Sequence, residues 1–162
     1  MQNDNYGKIF KSINMFEDFF REKDFIKKIL FPVEYFRLSE KQYNALCDAL
    51  HLLKLPTIVY EVVTEDGNRV IVHDFQAGAY EQYTKNSNSI LENQLYSDSL
   101  TWGIGISHED HAILGCTKTF YDVFQSFYSQ TDRDAFEKYW KNNQAEYGSD
   151  LNWFNELMKI TV

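Results

Sequence analysis

Cysteine and proline are scarce in this chain, with two of each in 162 residues. Cys47 falls on the apolar side of an expected helix and Cys116 ends an expected strand. Both read as small buried hydrophobes, which argues against a disulfide framework and for a reducing, cytoplasmic compartment. Pro32 and Pro56 are placed as boundaries between elements. No run of 18 apolar residues occurs, so no membrane span is expected. The first residues, Met1 to Asn5, lack a basic stretch leading into an apolar one, so no cleaved secretion signal is expected.

Catalytic signatures are missing too. There is no P-loop and no Gly-x-Ser-x-Gly elbow, and Gly103-Ile104-Gly105 is half of a dinucleotide fingerprint. No catalytic residue, cofactor or resident metal is therefore assigned. Positive charge is thin in the middle of the chain. Residues 56–118 carry nine acids against Arg69, Lys85 and Lys118, and hold most of the net charge of −8. Such a field repels nucleic-acid phosphates and anionic membranes, and favours a basic partner.

Aromatic residues are plentiful: 13 Phe, 11 Tyr and 3 Trp make up 17%. Each buries roughly 150–250 Å² when enclosed, so few are needed to fill a core. At this length one domain spanning 1–162 is expected, large enough to fold without a metal or disulfide staple.

The order of patterns gives an α+β class: N-terminal helices, a central antiparallel sheet of about four or more strands built from two hairpins, and C-terminal helices packed on the sheet. Ile9, Ile13, Phe16 and Phe20 follow helical spacing within residues 5–31. Ser39-Glu40-Lys41-Gln42 matches a capping box, followed by the stripe Tyr43, Leu46, Cys47, Leu50 and Leu53. His51 in the last turn reads as a structural residue favoured by the helix dipole. Residues 57–63 and 69–75 read as strands around the turn Glu65-Asp66-Gly67-Asn68. Residues 76–99 are less legible; a short helix through Ile90, Leu91 and Leu95 is expected there.

A second hairpin follows. Trp102, Ile104 and Ile106 share one strand face, and Gly103, Gly105 and Ser107 the other. The small residues allow close approach of a backbone or of the chain's own aromatic side chains. Thr119-Phe120-Tyr121-Asp122 and Thr131-Asp132-Arg133-Asp134 both fit a helix start. The helices they begin should cover one sheet face with Phe120, Phe124, Phe127, Phe136 and Trp140, with a break at Asn142, Asn143 and Gly148.

Candidate chemistry concentrates in the turn His108-Glu109-Asp110-His111. Imidazoles and carboxylates suit zinc or acid–base work, so one reading is a small, metal-assisted hydrolase centred on His108, Asp110 and His111. The spacing matches no standard zinc pattern, and these are also ordinary turn residues. His73 and Asp74 are strand neighbours, so their side chains diverge and cannot pair with each other.

The leading reading is a non-catalytic protein-binding domain. Its acidic, aromatic-rich face is assigned to Glu65, Asp66, Asp74, Tyr80, Tyr83, Trp102, His108, Glu109, Asp110 and His111. Interfaces favour Tyr and Trp anchors, and opposite charge speeds encounter. In size, acidity and lack of catalytic residues the chain resembles the small cytosolic immunity proteins that neutralise bacterial toxins, many of which are basic nucleases. That resemblance implies a bacterial, cytoplasmic protein whose partner is a basic toxin.

Overall fold

The computed structural model describes residues 4–63, 69–87 and 91–162. Six strands form one antiparallel sheet: β1 (Ile26–Leu30), β2 (Ile58–Val63), β3 (Val70–Asp74), β4 (Asn93–Tyr96), β5 (Trp102–Ile106) and β6 (Ala112–Cys116). Their spatial order is β1-β6-β5-β4-β2-β3. A short helix, α1 (Tyr6–Ile9), precedes the sheet, and α2 (Glu40–Leu52) and α3 (Tyr80–Asn86) lie between strands. The chain ends in α4 (Lys118–Phe127), α5 (Asp132–Tyr147) and α6 (Asn152–Ile160). The α+β class and both expected hairpins, β2–β3 and β5–β6, are present. Strands β1 and β4 bring the sheet to six. Among the described residues no helix is long and apolar enough to cross a membrane.

Strand alternation splits the core in two. Trp102, Ile104, Ile106, Leu114 and Cys116 point to one face and meet Tyr43, Leu46 and Leu50 of α2 and Phe120 and Phe124 of α4. Ile29, Val62, Tyr96 and Ile113 point to the other. There they meet the N-terminal segment and Phe136, Trp140, Phe154 and Leu157 of α5 and α6. We call these the α2 face and the α5 face. The C-terminal helices therefore divide between both faces instead of covering one, and Phe127 is 42% exposed.

The helical start of α2 is as the sequence implies. Ser39 Oγ accepts from Gln42 N at 3.3 Å, and Gln42 Oε1 accepts from Ser39 N at 2.9 Å. Helix α4 begins slightly earlier than its sequence pattern implies, with Thr117 as the N-cap. Helix α5 runs through Asn142 and Asn143 and stops at Gly148, whose φ of 66° closes it in the left-handed conformation.

The N-terminal segment differs most from expectation. After α1 it runs without a helix to β1. The cause is local competition for backbone donors. Ser12 Oγ accepts from Asn14 N, Asn14 Oδ1 from Phe16 N and Asp18 Oδ1 from Phe20 N, each two residues on. These bonds hold turns, and the turns deliver Phe10, Phe19 and Phe20 onto the sheet. A Cβ on Gly103 would stand 2.7 Å from Ile9 Cγ2, and one on Gly115 2.5–2.7 Å from the Phe20 ring. One on Gly105 would overlap the Phe19 ring. The small residues of β5 and β6 thus serve the chain's own aromatics. Ile13, by contrast, is 49% exposed.

Residues 91–96 also differ: Leu95 lies in β4, not in a helix, while Ile90 is outside the described residues.

Candidate functional site

The β5–β6 turn is closed by Ser107 N donating to His111 O at 2.9 Å and by Glu109 N donating to Ser107 Oγ at 3.1 Å. Asp110 takes φ of 57°, which Asp tolerates better than most side chains. Its carbonyl accepts from Val33 N at 2.9 Å and ties the turn to the end of β1.

His108 is exposed and held between two carboxylates. Its Nδ1 lies 2.6 Å from Glu92 Oε1 and its Nε2 lies 3.1 Å from Glu109 Oε1. Glu92 Oε1 also accepts from His108 N at 3.2 Å. The Phe16 ring stands edge-on to the imidazole, with centroids 5.6 Å apart. Glu92 escaped the sequence reading because it sits 16 residues before His108, outside any local motif.

His111 goes the other way. It is buried on the α5 face, stacked on Trp153 at 5.8 Å and 4.8 Å from Phe136. Burial pushes its pKa down to about 4, partly offset by the bond to Glu109 O. The imidazole is thus neutral at neutral pH, and its Nδ1–H donates to that carbonyl. His108 and His111 do not converge on one point. Among the described residues no three His, Cys, Asp or Glu side chains are grouped to hold a metal ion. The thiols of Cys47 and Cys116 are pushed up to about 11 and about 12 by burial, so neither supplies a ready thiolate.

The other assigned contact residues scatter. Trp102 is 0% exposed, stacked on Phe120 at 5.9 Å, and Tyr83 is stacked on Tyr43 at 5.2 Å. Both are corrected from surface anchors to core, because their element faces are covered by α2 and its neighbours. His111 is corrected in the same way. Tyr80 is half-buried, with its hydroxyl donating to Leu38 O at 3.0 Å. Asp74 is exposed and accepts from Thr57 Oγ1 at 2.6 Å and Gln76 Nε2 at 3.0 Å. It lies at the opposite end of the sheet from the β5–β6 turn. Glu65 and Asp66 lie outside the described residues. The structure thus gathers His108, Glu109 and Asp110 with Glu92, and separates them from the rest.

Two further features bear on chemistry. His73 is buried and does not pair with Asp74; its Nε2 lies 2.7 Å from Glu61 Oε2 beneath α3. Alternation along β2 hints at this, since Glu61 shares a face with Val59 and Val63 and needs a partner there. Beside Phe16 a cavity of about 220 Å³ is lined by Glu17, Asp18, Glu156, Leu157 and Ile160. Its rim charge is largely balanced within the chain: Lys27 and Lys11 meet Asp18, and Lys159 meets Glu156.

No family model, curated protein sequence or solved structure matches this chain.

Proposed function

We propose that this chain is a non-catalytic binding domain that captures a basic protein partner, a cytoplasmic immunity protein against a bacterial toxin being the form its size and acidity suggest. One observation carries the reading. At the β5–β6 turn, Glu92 and Glu109 flank one exposed imidazole, with an aromatic edge beside the ring and the exposed Asp110 in the same turn. Carboxylates placed around a partly apolar contact suit Lys and Arg side chains, whose stems are apolar and whose heads are cationic. His111 turns into the core, which leaves the hydrolase reading without a second imidazole at this turn.

The test is kinetic. Proteins retained by the immobilised chain from its native host are purified, and their association and dissociation rates are measured across salt. The expected partner is basic, associates more slowly as salt rises, and associates more slowly still with Glu109→Gln/Asp110→Asn. Steering acts over about a Debye length, roughly 8 Å at physiological salt, so the dissociation rate should change less. Association indifferent to salt and to both amides overturns the reading.

A further inference from the structure

We propose that β3 is a strand-addition edge, which takes an extended segment of a partner protein carrying a basic residue followed by β-branched residues at alternate positions. The backbone supplies the first argument. Val63 N donates to Arg69 O and Phe75 N donates to Thr57 O, so the odd-numbered residues of β3 face β2. The N–H and C=O groups of Val70, Val72 and Asp74 therefore point away from the sheet. No described residue supplies a partner to them. Such a row templates another strand unless charge, proline or a covering element blunts it. Here the middle of the row is Val70-Ile71-Val72, with no proline and no charge.

The side chains supply the second argument. Val72 is 55% exposed and Ile58 40%, with Tyr60 and Val70 half-buried beside them on the α5 face. This strip is bordered by two carboxylates. Asp74 ends β3, and Asp98 accepts from the Tyr60 hydroxyl at 3.1 Å. Asn5 Nδ2 also donates to Asp98, at 2.8 Å, and Arg69 precedes β3 at the end away from Asp74. A strand paired on β3 places one residue opposite Asp74 and two more opposite Val72 and Val70, all on the same face. The complementary residues are a Lys or Arg, then two β-branched residues. A second copy fits less well. Pairing Val72 with its own copy sets each Asp74 against a Val70, and brings together two chains of net charge −8. The basic character of the segment rests on the function proposed above; its extended form rests on the edge alone.

Three capped peptides test this on the intact chain: Thr-Lys-Thr-Val-Thr-Val-Thr, the same with Glu for Lys, and the first with both Val nitrogens methylated. Amide shifts and amide exchange are read by NMR. The Lys peptide should shift and protect the amides of Val70, Val72 and Asp74. The Glu peptide should bind about tenfold more weakly, as a favourable cross-strand pair becomes a repulsive one. The methylated peptide should not bind. Val72→Pro should abolish binding while keeping the fold, since its N–H points outward. Should that variant unfold, the methylated peptide still decides. Unchanged β3 amides, equal binding of the Lys and Glu peptides, or a dimer of the free chain that Val72→Pro dissolves would each overturn the inference. The two proposals fail separately. Slowing of partner association by the Glu109 and Asp110 amides, with β3 silent, removes only the edge. A responsive β3 with salt-indifferent partner association removes only the turn.

Discussion

Strands β1 and β3 are the two edges of one sheet, and their outer rows are finished differently. At β1, Val162 N donates to Lys27 O at 2.8 Å, and the Asp132 carboxylate accepts from Phe31 N at 2.9 Å. Helix α5 packs along it, and Lys27 and Lys28 place charge on the strand. Burial lowers the Lys28 pKa, while Asp132 nearby works to raise it. At β3 the outward groups of Val70, Val72 and Asp74 meet nothing among the described residues. Coverage follows the same division. Around β1, β6 and β5 both faces are packed; at β2 and β3 the α2 face is packed and much of the α5 face is exposed. Val162 and a buried carboxylate thus close one edge, while among the described residues the outward groups of the other stay bare.

The largest effects should come from the covered half. Phe124 on the α2 face and Phe20 on the α5 face are fully enclosed. Replacing either with Ala should cost ~3–5 kcal/mol in a urea melt, the range for emptying a packed aromatic site. Losses below about 1 kcal/mol would show that these halves are not packed as described.

His111 sharpens the comparison through pH. Its folded pKa is near 4 against an ordinary 6.5, because burial disfavours the charged ring. The unfolded chain therefore takes up a proton that the fold resists. The stability is fully present above pH 6.5, is lost as pH falls toward 4, and levels off below that. At 1.36 kcal/mol per unit the loss approaches ~3 kcal/mol. Urea melts at about pH 7.5 and about pH 4.5 should show a steeper loss in the native chain than in His111→Gln. Equal losses would remove this ring as the cause.

The closed edge should be easier to open than the core is to empty. Asp132→Ala strands the Phe31 N–H and removes a partner of the Tyr128 hydroxyl, which lies 2.5 Å from Asp132 Oδ2. Leaving buried groups unpaired costs ~1–3 kcal/mol. The same variant should let the Phe31 amide exchange faster. An unchanged exchange rate there would show that Asp132 does not seal the edge.

Much of this fold is legible in the residues. The capping box at Ser39, the strand alternation at Trp102 and the aromatic spacing from Phe120 onward each depend on neighbours within a turn or two. What escapes reading is set at long range. The spacing of Ile9, Phe16 and Phe20 imitates a helix, but Phe10, Phe19 and Phe20 are placed by the bare backbone of Gly103, Gly105 and Gly115 almost a hundred residues on. The candidate site behaves in the same way. The turn at His108 is visible, whereas its clamp by Glu92 and the inward rotation of His111 depend on tertiary packing. Trp102 shows the same limit, since composition alone does not say which face of a strand is covered.

The smallest expected effect is at the open edge. Val72 is more than half exposed and its N–H points outward, so little of its burial or bonding belongs to this chain. Val72→Thr keeps the β-branched shape and replaces one exposed methyl with a hydroxyl. Surface changes of this kind stay within about 0.5 kcal/mol, and β-propensity is preserved. A urea melt should thus place Val72→Thr beside the native chain, while Ile71 and His73, whose amides face β2, should stay protected from exchange and Val70, Val72 and Asp74 should exchange freely. Protection of all five amides alike, or a loss above about 1 kcal/mol in Val72→Thr, would mean that something already covers β3. The contrast between the two edges would then be one of what covers each, not of closed against open.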